Sequence, residues 1–164
     1  MSLKSALAGA TLAVAFTAAA FAHGPSGHEE TAFGRPGDED KPNRVVEVIM
    51  NELDGKMTFE PHTFTVTQGD QIRFRITNKG MLEHEFVLAT LEENLKHAED
   101  MKKHPEMEHD EPNMKRIKPN GTAEVLWRFT KVGKFHIGCL IPGHLGAGME
   151  AHVIVLPAKA TKAK

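Results

Sequence analysis

The stretch CLIPGHLGAGM, residues 139–149, decides how the rest of this chain is read. It sets a thiol, an imidazole and a thioether at the spacing C-x4-H-x4-M, on Cys139, His144 and Met149. Alternating runs flank it. GKFHIGC (133–139) places Phe135, Ile137 and Cys139 on one side of an extended chain, and MEAHVIVL (149–156) resumes the alternation. Side chains of a strand alternate with period two, so Cys139 ends one strand and Met149 begins the next. Between them Pro142-Gly143, Gly146 and Gly148 punctuate a loop. The three side chains are thereby folded toward a common point at one end of the sheet that these strands join.

Further strands lie upstream. RVVEVIM (44–50), residues 57–59 and 63–66 with Pro61 as the bend between them, QIRFRIT (71–77), HEFVL (84–88) and TAEVLWRF (122–129) are short β-type runs bounded by turn residues. QIRFRIT is the clearest, with Ile72, Phe74 and Ile76 on one face and Arg73 and Arg75 on the other. Seven or eight such strands predict an all-β chain, a Greek-key antiparallel β-sandwich. One short helical insertion interrupts it over 90–103, where Thr90 and Glu93 form a capping box. Residues 102–120 read as polar and irregular. The domain spans 44–157, with a His/Met-rich insertion at 95–118.

The flanks read differently. Lys4, an uncharged run over 6–22 and the ending Ala20-Phe21-Ala22 make a signal peptide at 1–22, cleaved before His23. The polar, Gly- and Pro-rich residues 23–43 predict a flexible arm, and 158–164 a Lys-rich tail. No second apolar segment reaches spanning length, so no membrane span is expected in the mature chain. The formal net charge of −2 gives no basic surface for nucleic acid.

Ten His and eight Met stand against one Cys. Exported proteins use cysteines in pairs, so a lone Cys139 is an inert core residue, a link between chains or a thiol with a chemical task. His84 is the best further donor: it starts a strand, faces the core side and follows a turn containing Gly80. Two imidazoles, a thiolate and a weak thioether are the donor set of an electron-transfer copper site. Packing alone is the competing reading for each. His62, His136 and His152 read as exposed or structural. A second group, His97, Met101, His104, Met107, His109 and Met114, packs six soft or borderline donors into 18 residues. It is either a solvated charged loop or a second copper site, and His23, with its free amine after cleavage, is a further candidate for that second ion.

With HEFVL around His84 and CLIPGHLGAGM around Cys139 in view, the sequence resembles the cupredoxins, the family of plastocyanin, azurin and rusticyanin, over about 44–156. It is most similar to exported copper-tolerance cupredoxins of the CopI type, through HGPSGHEE, FGRPGDED, HEFVL and the Met/His-rich stretch before PNG. The resemblance implies one mononuclear type 1 copper on His84, Cys139, His144 and Met149. It also implies a periplasmic location and one-electron Cu(II)/Cu(I) transfer in copper tolerance, without enzymatic turnover. A dedicated respiratory or photosynthetic carrier is the alternative, and a c-type cytochrome or copper oxidase the expected redox partner. One residue departs from the pattern: many electron carriers of the family have Asn or Ser after the first His, and this chain has Glu85.

Overall fold

In a computed structural model the protein is described over residues 30–107 and 111–159. The alternating runs form two facing five-stranded sheets. The first runs β1 (Arg35–Pro36), β8 (Thr122–Arg128), β5 (Gln71–Asn78), β2 (Arg44–Leu53), β3 (Lys56–Glu60). The second runs β4 (Thr63–Thr67), β10 (Glu150–Leu156), β9 (Gly133–Gly138), β6 (His84–Ala89), β7 (Met114–Ile117). Ile72, Phe74 and Ile76 point inward as their alternation requires, all 0% exposed. Phe74 sits at the centre, with ring centroids 5.4 Å from Phe86, 5.7 Å from Phe64 and 6.3 Å from Phe129.

The sandwich is not purely antiparallel. β2 pairs with β5, and β4 with β10, in parallel. The chain changes sheet at both ends of β4, so β5 returns beside β2 running the same way; nothing in a strand's own sequence announces that.

The helix α1 (Leu91–Lys103) is built as its ends predict. Thr90 Oγ1 accepts the Glu93 N–H at 3.2 Å, and the Glu93 carboxylate accepts the Thr90 N–H at 3.0 Å. Glu92 and Glu93 open the helix and Lys102 and Lys103 close it, in accord with its dipole. It packs on the outer face of the second sheet, over β6 and β9, and this is why all six residues of β6 are buried. It also buries His136, at 2% exposure, among residues the sequence leaves as exposed or structural. The Asn94 side-chain amide donates to Val87 O at 3.1 Å and to His136 Nδ1 at 2.8 Å. The other ring nitrogen, Nε2–H, therefore donates to Glu150 at 2.9 Å.

Two expectations need correction. Of the arm expected to be flexible, 23–29 lie outside the described residues and 39–43 are exposed, but 31–38 are seated on the first sheet. Phe33 is buried and stacks on Trp127, with centroids 5.1 Å apart and planes 16° apart. Trp127 Nε1 donates to Phe33 O at 3.1 Å. Gly34 has φ 121°, and a Cβ there would lie 2.2 Å from Arg128 O, so the close approach of arm to β8 requires glycine. Within the stretch read as irregular, 114–117 form β7, an edge strand whose charged sequence MKRI conceals its pairing with β6. Residues 1–22, where a signal peptide is expected, and the end of the expected tail, 160–164, lie outside the described residues. Among those described, no helix is long and apolar enough to cross a membrane.

Candidate metal centre

The loop over 139–149 is wound into consecutive turns. His144 N–H donates to Ile141 O and Ala147 N–H to Gly143 O, each at 3.0 Å, and Met149 N–H returns to His144 O at 3.1 Å. Gly143 and Gly148 take φ of 93° and 95°, where a side chain would be strained. Cys139 N–H donates to Met149 O at 3.1 Å, closing the loop onto itself, and Met57 N–H donates to Ala147 O at 3.2 Å, tying it to β3 of the opposite sheet. Sequence spacing and backbone bonding together bring the ends of this loop beside the start of β6.

There His84, Cys139 and His144 meet. Their donor atoms all lie within 4.8 Å of one another, the one such group of His, Cys, Asp or Glu among the described residues. His84 Nδ1 is 3.2 Å from His144 Nδ1, and Cys139 Sγ is 3.2 Å from His144 Nδ1 and 3.9 Å from His84 Nδ1. A first-row ion bonded at about 2.0–2.3 Å to nitrogen and sulfur needs its donors roughly 3.3–3.8 Å apart. The three separations, 3.2, 3.2 and 3.9 Å, each lie within about 0.1 Å of that range. His84 and Cys139 are 0% exposed. Met149 is also 0% exposed and lies in the same core cluster as Cys139.

The electrostatics favour a metal over a free thiolate. Burial pushes the Cys139 thiol up to about 12, although the N–H groups of Glu85 and Ile141 favour the thiolate. The Glu85 N–H reaches Sγ at 3.2 Å. Such a thiol loses its proton near neutral pH only to a bound cation. Burial, followed by the neighbouring His84, lowers the pKa of His144, which keeps its Nδ1 lone pair available. The Glu85 side chain, 2% exposed, lies across from Arg116, whose guanidinium is 3.9 Å away.

Sequence reading missed Glu52. This β2 residue bonds His84 Nε2, on the far side of the ring from the donor triangle. Burial opposes its charge, but the Met81 N–H, the His84 ring and the Leu82 N–H outweigh that and hold its carboxyl below the usual range. No local pattern in 44–53 marks it, because the contact joins the two sheets.

The second donor group is not gathered in the same way. Met101 is 0% exposed and packs with Val87 and Leu140, with Met107, Met114 and Leu145 against them. His97 is half-buried, and His104 is the exposed C-cap of α1. His109 and His23 lie outside the described residues. Leu140 is 1% exposed beneath α1. The apolar surface beside the triad is therefore a groove of about 620 Å³ between α1 and the loop, with Leu95, Ala98, Ile141, Pro142 and Leu145 on its walls.

Comparison with known proteins agrees with this geometry. Residues 46–156 match the profile of the copper binding proteins of the plastocyanin/azurin family. The chain is 44% identical over 126 residues to the copper-resistant cuproprotein CopI of Rubrivivax gelatinosus, covering 77% of this chain and 74% of that one. It is 39% identical over 116 residues to the protein of the same name from Vibrio cholerae serotype O1, covering 71% and 68%. In fold it is similar to auracyanin B, with a TM-score of 0.61 at 19% identity, over 76% of this chain and 97% of that one. This protein belongs to the plastocyanin/azurin family of copper-binding proteins, the cupredoxins.

Proposed function

We propose that the protein holds one copper ion on His84, Cys139, His144 and Met149 and serves as a periplasmic one-electron carrier in copper tolerance. The observation that carries this reading is the buried triangle of two imidazole nitrogens and one thiol sulfur. Copper held there supplies a reversible one-electron couple. The chain's own residues do the rest. The wound loop holds Cys139, His144 and Met149 at fixed separations, so little rearranges when charge changes. Burial of Cys139, His84 and Met149 excludes water and leaves no open position for a substrate, which argues against an enzyme. His144 is the donor residue nearest solvent and offers the path between the interior and a redox partner seated at the groove. The tolerance role is supported by relatives named as copper-resistant cuproproteins.

Metal analysis with visible and EPR spectra tests the centre. Wild type should bind one tightly held copper with an intense thiolate-to-copper absorption, and Cys139→Ser should lose that band. Wild-type protein without the band would refute the site. Unchanged growth of a deletion strain in added copper would refute the tolerance role.

A further inference from the structure

We propose that Glu52 is a positioning residue for the copper site: its carboxylate selects the Nε2–H form of His84, aims Nδ1 at the donor triangle and biases the site toward Cu(II). This rests on the copper reading above.

The argument starts from hydrogen-bond roles. Glu52 Oε2 accepts the Met81 N–H at 2.6 Å, and Oε1 accepts the Leu82 N–H at 3.3 Å. The same Oε1 meets His84 Nε2. An oxygen that already accepts a backbone N–H takes an N–H from the imidazole, so the ring proton resides on Nε2. Its lone pair is then on Nδ1, the atom that lies 3.2 Å from His144 Nδ1 and 3.9 Å from Cys139 Sγ. Which ring nitrogen serves a metal is set by the bond that the other makes.

The seat for this carboxylate is built. A Cβ on Gly80 would fall 2.3 Å from Glu52 Oε1, so the turn approaches closely only because residue 80 has no side chain. Asn78, 0% exposed, holds that turn: its amide donates to Leu82 O at 2.8 Å and Ile117 O at 2.9 Å, and its Oδ1 accepts the Gly80 N–H at 2.9 Å. The 78–82 turn thus presents two N–H groups to Glu52, and Glu52 presents its charge to His84. Glu52 belongs to the first sheet and His84 to the second, so the contact also latches the sandwich together at its metal end. A carboxylate behind a ligating imidazole makes it a stronger donor and stabilises the more highly charged ion.

The test compares wild type, Glu52→Gln, Glu52→Ala and Gly80→Ala by voltammetry of the copper form and by ¹⁵N NMR of the metal-free form. Glu52→Gln keeps the shape and removes the charge; it should retain the thiolate–copper band and raise the reduction potential. Loss of this kind of partner costs about 10–100-fold in affinity. A tenfold loss confined to Cu(II) reads as about 59 mV. Gly80→Ala, which displaces the carboxylate, should shift the potential the same way. In the metal-free wild type His84 should carry its proton on Nε2, and in Glu52→Ala the two forms should mix. Potentials that move by less than about 18 mV, a factor of two, with unmoved ¹⁵N shifts, would overturn the proposal. A wild-type protein lacking the copper band would overturn the copper reading itself, whereas a normal wild-type band with an unmoved Glu52→Gln potential sinks only the role of Glu52.

Discussion

Replacing Phe33 by Ala tests whether the segment before β2 belongs to the folded domain. The Phe33 ring is 4% exposed, stacked on Trp127 and tilted against Phe135 at 6.5 Å. Truncating a buried Phe to Ala costs about 3–5 kcal/mol when the surroundings cannot collapse. Here the arm can lift away instead, which limits the loss to what its docking contributes. That docking comprises about 1.5–3 kcal/mol for burying the ring, about 0.5–1.5 for the stacked pair and about 0.5–1.5 for the bond from Trp127 Nε1. The docking contributions together come to about 2.5–6 kcal/mol, a range centred on the truncation figure, so a loss of roughly 3–5 kcal/mol is expected. With a urea dependence of about 1.5 kcal/mol/M, the metal-free unfolding midpoint should fall by about 2–3 M. Trp127 is the single tryptophan of the chain, so its fluorescence reports the event directly: emission should shift to the red and become quenchable before global unfolding. The copper band should persist, because Phe135 lies near the start of β9 and Cys139 just beyond its end. A midpoint within about 0.3 M of wild type, roughly 0.5 kcal/mol, with unshifted emission, would show that the arm contributes nothing and refute the argument.

Three further outcomes follow from packing and charge. Met101→Ala should destabilise the protein by about 2–5 kcal/mol in chemical denaturation, because the side chain is fully enclosed; a neutral result would mean that α1 is not seated as described. Asn94→Ala, which abandons Val87 O and His136 Nδ1 in the interior, should cost about 1–3 kcal/mol by the same assay. The Cys139 thiol gives metal-free protein a specific alkaline weakness. Its folded pKa, about 12, lies above the ordinary 9.0, with burial as the main cause. The protonated form is thus the one the fold prefers. Its contribution is whole below pH 9 and is lost as pH rises through about 12. Thermal melts across that window should fall more steeply for wild type than for Cys139→Ser, and parallel curves would contradict it.

What could be read from the chain divides by range of interaction. The capping box at Thr90 and Glu93, the alternation of QIRFRIT and the meeting of Cys139 with His144 on one loop are local, so spacing alone revealed them. His84 was legible because it opens a strand after a turn. Glu52 was not, since its role depends on how two sheets register against each other. Phe33 sits alone among polar residues, and only the Trp127 ring of the folded sheet gives it a partner. β7 hides behind its charges because an edge strand with half-buried residues needs no apolar alternation. The methionines of the insertion look like a ligand series in one dimension; in three, Met101 is core and two others lean against it. The groove beside the loop is long-range in the same sense, since only the fold brings Leu95 and Ala98 of α1 near Ile141, Pro142 and Leu145.

The bond from Trp127 to Phe33 spans 94 residues of chain. A ribosome adds about 5–20 residues per second, so for about 5–19 s after Phe33 is made its partner does not yet exist. During that interval the first sheet has a vacant edge and the sandwich cannot close. For the exported role proposed above, such a delay would be useful. A polypeptide that cannot complete its first sheet until its eighth strand has been synthesised stays open for most of its synthesis, so the order of synthesis itself times the closing of the sandwich.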